Sequence, residues 1–108
     1  MSQYLLIESR DPFEWNDVRY FYALARDLAA AGHAVTLYLV QNGVLPARRE
    51  AKCDELRRVV EAGVEVLAEE FSLRERGIPA DCLLPGVRTA PLEVVIDRLA
   101  EGHKALWH

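Results

Sequence analysis

Gly63-Val64-Glu65-Val66-Leu67-Ala68-Glu69-Glu70-Phe71-Ser72-Leu73-Arg74-Glu75-Arg76-Gly77-Ile78 decides how the 108-residue chain folds. Val64 to Ala68, apolar except for Glu65, reads as a short buried strand. It stops at two carboxylates, Glu69 and Glu70, and a short helical stretch follows, closed by Gly77. In an open α/β sheet, ligands and chemistry collect in the crevice at the carboxyl ends of the strands. The stretch therefore delivers Glu69, Glu70 and Ser72 to that edge.

The pattern repeats outward on both sides. Gln3 to Glu8 is an apolar run broken by Ser9-Arg10-Asp11-Pro12-Phe13, and reads as a strand buried on both faces. A helix is expected from Glu14–Asp17 to Ala31. Its apolar stripe is Val18, Phe21, Tyr22, Ala25, Leu28 and Ala29, and Gly32 stops it. Ala34 to Val40 is the strongest strand, rich in β-branched and aromatic residues. Gln41 to Pro46 is a loop at its carboxyl end. A helix is predicted over Arg48 to Ala62, with Cys53, Leu56, Val59 and Val60 inward.

Beyond Gly77, Cys82-Leu83-Leu84 is expected as a short strand. A last helix is expected to begin near Thr89-Ala90-Pro91, with Thr89 as N-cap and Leu92, Val95, Ile96 and Leu99 buried. His103 to Trp107 is a candidate edge strand. Alternating strands and helices imply one α/β domain over residues 1–108. It has three layers, a mainly parallel sheet of about five strands with helices on both faces, in the manner of flavodoxin-like folds.

About half of the residues (51%) are apolar, enough for a real core, and the net charge is −4 with no basic block. That balance argues against nucleic acid as a partner. The apolar runs fall far short of the ~20 residues a membrane span needs. With no secretory h-region at the N-terminus, a cytoplasmic protein is expected. His33, His103 and His108 are scattered without metal-ligand spacing, and there is no Gly-rich phosphate loop. Neither a metal nor a cofactor is expected.

Four stretches together carry a family resemblance: Ala30-Ala31-Gly32-His33-Ala34-Val35 with its strand ending in Gln41-Asn42-Gly43-Val44, Gly63-Val64-Glu65-Val66, Glu75-Arg76-Gly77-Ile78, and Leu84-Pro85-Gly86-Val87. In order and spacing they resemble the DsrE/TusD-type sulfur-relay family over nearly the whole chain. The resemblance implies a small α/β domain that assembles into trimers or hexamers. It also implies handling of sulfane sulfur as a cysteine persulfide, passed between sulfur-carrier proteins. In sulfur-transferring members the active cysteine sits just after the third strand. Here that place holds Ala68-Glu69-Glu70-Phe71. A non-catalytic or altered member is expected, binding a partner or small ligand at the strand ends.

Cys53 lies on an apolar helix face, where a free cysteine is commonly a packing residue. Cys82 follows a turn, near Arg74, Arg76 and Arg88 but next to Asp81; it is the acceptor if this chain carries sulfur. Glu69 and Glu70 read either as a capping pair at a helix N-terminus or, with Asp11, as a carboxylate-based or metal-binding site from a different functional class. Arg10, Asp11, Asn42 and Gly43 end the first two strands and should converge with Glu69. Arg10 is placed there to hold an anion or to form a solvated surface pair with Asp11. Phe13, Trp15 and Trp107 read as subunit contacts or as lids on the sheet edge.

Overall fold

A computed structural model describes residues 2–108. Its centre is a five-stranded, all-parallel sheet in the order β4-β3-β2-β1-β5. The strands are β1 (Gln3–Glu8), β2 (Ala34–Leu39), β3 (Glu65–Glu69), β4 (Val87–Ala90) and β5 (Lys104–Trp107). The helices are α1 (Val18–Ala30), α2 (Asp54–Glu61), α3 (Glu70–Glu75) and α4 (Glu93–Ala100). Gln3 pairs with Ala34 at one border of β1, and Ile7 with Trp107 at the other.

The handedness rule for parallel crossovers fixes the layers. From β1 to β4 the chain steps in one direction, and α1 and α2 pack on one face over Leu6, Leu37, Leu39 and Val66. The step from β4 back to β5 reverses direction. It puts α4 on the other face, where Val94 and Val95 rest on Leu5, Ile7, Tyr38, Val40, Leu67 and Ala90. The three-layer α/β architecture expected from the sequence is therefore present, with one face covered by a single short helix.

Boundaries differ in four places, each for a physical reason. Lys52 takes a left-handed backbone (φ 49°), so the expected helix from Arg48 starts only at Asp54. Asp54 and Glu55 then occupy its positive first turn. Gln41–Ala47 is a 3-10 stretch rather than an open loop, and it buries Val44 and Ala47. Cys82-Leu83-Leu84 is not a strand of the sheet. Ala80–Cys82 is a 3-10 turn, Leu83 bridges only Arg48, and Leu83 and Leu84 plug the α1/α2 side of the core. The edge strand is Val87–Ala90 instead, so Thr89 lies in β4 and is not a helix cap. Finally, the expected buried stripe of α4 is largely in the open. Leu92, Ile96 and Leu99 are 50–66% exposed, because only one side of this lone helix meets the sheet.

Gly43 shows the tightest approach between the strand exits. Its N–H donates to the Val40 carbonyl at 2.8 Å, and a Cβ at this position would overlap the Glu8 carbonyl. The backbone of neither β1 nor the 3-10 stretch can yield cheaply. Gly43→Ala is expected to cost about 1–3 kcal/mol by overpacking, read as a lowered urea midpoint with unchanged slope. A midpoint equal to that of the parent chain would refute this account of Gly43.

Candidate functional site

At the carboxyl ends of the strands a cavity of about 290 Å³ opens between Ile7, Val40, Glu69 and Trp107, with Phe71 and Leu92 at its rim. Its position follows from topology, since the strand order turns back between β1 and β5. Its walls are mainly apolar. The half-exposed Phe71 and strongly exposed Trp107 give it an aromatic mouth.

One buried network shapes the polar wall. The Glu69 carboxylate, at the N-cap of α3, accepts from the Phe71 and Ser72 N–H groups, the latter at 3.0 Å. It also accepts from the Ser72 hydroxyl at 2.6 Å. The Ser72 oxygen in turn accepts the Gln41 N–H at 2.8 Å. Gln41 sits at φ 52°, a left-handed backbone that costs a side-chain-bearing residue about 1–2 kcal/mol. Such strain persists only where surrounding bonds over-determine it, and it clusters at binding sites. Its hydroxyl is committed to the Glu69 carboxylate and to the Gln41 N–H, so Ser72 pins α3 to the exit of β2.

The structure distributes the other candidate residues. Glu70 turns away from Glu69 and lines a separate cavity with Leu73, Arg74 and Thr89, so the two carboxylates share no crevice. Asp11 is buried, but its Oδ1 accepts from the Phe13 and Glu14 N–H groups at 2.9 and 3.0 Å. Among the described residues, no three His, Cys, Asp or Glu side chains are placed to hold a metal ion. Arg10 does not enter the cavity. Its guanidinium lies 4.5 Å over the Trp15 ring and 3.8 Å from Asp17. Asn42 accepts from Arg76 Nε at 3.1 Å. Cys53 is buried, and burial pushes its thiol pKa up, away from a reactive thiolate. Cys82 is exposed in a second cavity of about 500 Å³, together with Arg48, Arg49, Lys52 and Arg76.

Sequence reading missed a third constellation. Glu8, fully buried at the end of β1, holds His108 Nδ1 at 2.8 and 3.0 Å through its two oxygens. His108 Nε2 lies 3.1 Å from Asp17, and its ring stacks on Phe21. One hundred residues separate Glu8 from His108, and only the parallel β1–β5 pairing brings them together. The available signal was an acidic residue ending an otherwise apolar strand. Burial raises the Glu8 pKa against the opposing pull of His108. Burial alone would lower the His108 pKa, but the bonds and charges of Glu8 and Asp17 outweigh it and raise the value.

Fold and cavity together define a small α/β protein with an all-parallel sheet and a pocket at the strand ends. No protein-family model matches the chain, and no curated protein matches its sequence. Solved structures do. The chain is similar to MTH1491, a protein of unknown function from Methanobacterium thermoautotrophicum, with a TM-score of 0.87, 20% identity and complete coverage of both chains. It is also similar to the ychN protein from E. coli, with a TM-score of 0.84, 19% identity, and 98% and 99% of the two chains covered. BT1422, a conserved protein of unknown function from Bacteroides thetaiotaomicron, aligns with a TM-score of 0.76 at 16% identity, over 99% of this chain and 95% of that one. At these identities the likeness shows a shared fold.

The histidine clamp gives stability a defined pH dependence. A His pKa raised on folding contributes stability that is complete below the unfolded value of 6.5 and lost as pH rises through the folded value. The raised Glu8 pKa acts in the same direction from 4.5 upward. Glu65 is the opposite case. Burial alone would raise its pKa, but Arg98, Thr36 and Arg88 outweigh burial and lower it, so its contribution is lost as pH falls through 4.5 and below. The melting temperature is expected to fall as pH rises above 6.5, and His108→Gln to flatten that limb. Parallel melting curves for parent and variant across it would rule the clamp out.

Proposed function

We propose that the chain is a DsrE-like component of sulfur metabolism, a non-catalytic or altered member that binds a partner or small ligand at the carboxyl ends of its strands. The observation that carries this reading is the strand-end pocket. It has the place, the apolar walls and the exposed aromatic rim of a binding site, yet Glu69, Glu70 and Phe71 stand where the resemblance calls for a cysteine. Glu69 and Ser72 there are already committed to each other and to backbone N–H groups, which suits recognition better than bond-making. The same commitment of Glu69, and its separation from Glu70, weigh against a carboxylate-based enzyme or metal site.

One observation favours an altered member over a silent one: the second thiol is exposed, and it sits among cations. In the transfer step the Cys82 thiolate attacks the outer sulfur of a donor persulfide. The donor S–S bond breaks, the donor leaves as a thiolate, and a persulfide forms on Cys82 without net oxidation. Two unpaired cysteines agree with a reducing, cytoplasmic setting. Among the described residues, no helix is long and apolar enough to cross a membrane.

Intact-protein mass spectrometry after incubation with polysulfide tests the chemistry. A gain of one sulfur, lost in Cys82→Ser and kept in Cys53→Ser, establishes the altered member. No gain on fully reduced thiols removes the carrier role and leaves a binder. Donor titrations that also fail to change the emission of Trp107, with Trp107→Phe as control, would remove the sulfur-metabolism reading itself.

Assembly belongs to the same proposal. Leu92, Ile96, Leu99, Leu106 and Trp107 leave α4 and β5 with an apolar outer surface, which monomers rarely expose. We expect homo-oligomers, trimers or hexamers. Sedimentation should show Ile96→Glu shifted to the monomer, with its fold retained. A parent chain that is monomeric at micromolar concentration would end this part of the proposal.

A further inference from the structure

We infer that the cleft beside Cys82 is a binding site for a small molecule bearing a doubly charged oxyanion of the phosphate, sulfate or thiosulfate kind. The chain is acidic overall, at −4, so a cationic concavity runs against its mean charge. Four of its thirteen Lys and Arg residues, Arg48, Arg49, Lys52 and Arg76, line this one cleft of about 500 Å³. That volume suits a small ligand.

The cleft has two defined walls, and Arg49 and Lys52 stand exposed on one of them. One wall is the segment leading from Arg48 to Lys52, and the other is the end of α3 and the turn to Cys82. The walls are tied by the Arg48–Leu83 bridge and by the Leu84 N–H donating to the Ala47 carbonyl at 2.9 Å. Two guanidinium groups are set in advance. Arg48 Nε donates to the Leu45 carbonyl at 2.8 Å. Arg76 donates to Asn42 and to the Ser72 carbonyl, each at 3.1 Å. Both arginines are largely covered and still have N–H groups to spare. Arg49 makes one long contact, 3.3 Å to the Asp81 carbonyl, and Lys52 pairs with no carboxylate among the described residues.

One carboxylate, Glu50, also lines the cleft, so four cations less one carboxylate leave an excess of three positive charges. Glu50 lies 3.7 Å from Arg48 and Glu75 3.8 Å from Arg76, too long for direct hydrogen bonds, and Glu50 is strongly exposed. Asp81 faces Cys82, its Oδ1 3.7 Å from the sulfur. A dianion is the complement of this excess charge, and the spare guanidinium N–H groups of Arg48 and Arg76 can donate to its oxygens. The site is independent of the sulfur reading, because it needs the cations and not the thiol.

Calorimetric titration of the full chain with inorganic phosphate, sulfate and thiosulfate at low ionic strength tests it. One anion per chain should bind saturably, and more weakly as sodium chloride is added. The double variant Arg49→Gln with Lys52→Asn should weaken binding by about tenfold or more, while Arg19→Gln, which removes an exposed cation outside the cleft, should bind as the parent does. Asparagine tolerates the left-handed backbone at position 52, so the variant keeps the fold. Preference for phosphate marks a phosphate ester as the natural ligand; preference for thiosulfate marks a sulfur donor seated beside Cys82. Either supports the site. Absence of saturable binding by all three anions, undiminished binding in the double variant, or a response confined to a glutamate-rich probe peptide would overturn it. The persulfide test at Cys82 stands or fails separately.

Discussion

Glu8 is the residue on which this molecule turns. A carboxylate with no solvent exposure carries a desolvation cost of several kcal/mol unless its surroundings compensate it. Here its oxygens are held by His108 and by the Arg10 N–H at 3.2 Å, while its backbone carbonyl accepts the Val40 N–H at 3.0 Å and lies against Gly43. One position thus joins the exit of β1 to the exit of β2 and to the end of β5. The strand-end cavity is bounded by those same three exits, through Ile7, Val40 and Trp107. Its shape therefore depends also on a charge pair behind the wall, outside the groups that line it.

The second constraint is the single reversal of strand order. It leaves α1 and α2 on one face and α4 alone on the other. Two helices cover the first face well enough to bury Tyr22, Leu37, Leu56 and Val59. A single helix is only about 10–12 Å across with its side chains, whereas five strands span roughly 19 Å between the outer axes. The outer apolar residues of α4 and β5 are what such a face leaves uncovered. Apolar exposure and strand-end pocket adjoin, since Leu92 and Trp107 belong to both.

The fold was legible because its signals are local. Period and composition mark β1, β2, β3 and α1, and the glycines after α1, α2 and α3 stop them as expected. The region after Gly77 was misread because Cys82-Leu83-Leu84 has the composition of a strand, and nothing local shows that Leu83 and Leu84 are used as core plugs while Val87–Ala90 takes the sheet edge. The stripe on α4 was real as a period but wrong as burial, since burial depends on whether a second layer exists to meet it. For the site, the place of Glu69 and its capping role could be read from its neighbours. Its separation from Glu70 could not, nor could the meeting of Glu8 with His108 or of Arg48 with Cys82. Those depend on contacts across about a hundred and about thirty residues of sequence.

Placement and chemistry have come apart in this chain. The strand-end position that topology favours is filled by Glu69 and Ser72, whose polar atoms are spent on holding α3 and Gln41. A thiol set at that place would have to displace the network that pins the left-handed Gln41. The accessible thiol lies instead beyond α3, at the mouth of a cleft whose four cations come from two segments about thirty residues apart. An apolar pocket and a cationic cleft select different ligands, since one rewards removal of surface from water and the other the matching of charge. Gln41, Ser72 and Glu75 line the pocket and Arg76 the cleft, so α3 and its C-terminal residue serve both. The Arg76 bond to the Ser72 carbonyl ties the wall of one to the wall of the other. A ligand that draws Arg76 into the cleft therefore pulls on the helix end that shapes the pocket. The bond from Arg76 to Asn42, and the 3-10 stretch that runs from Gln41 in the pocket up to Arg48 in the cleft, are further links between the two sites.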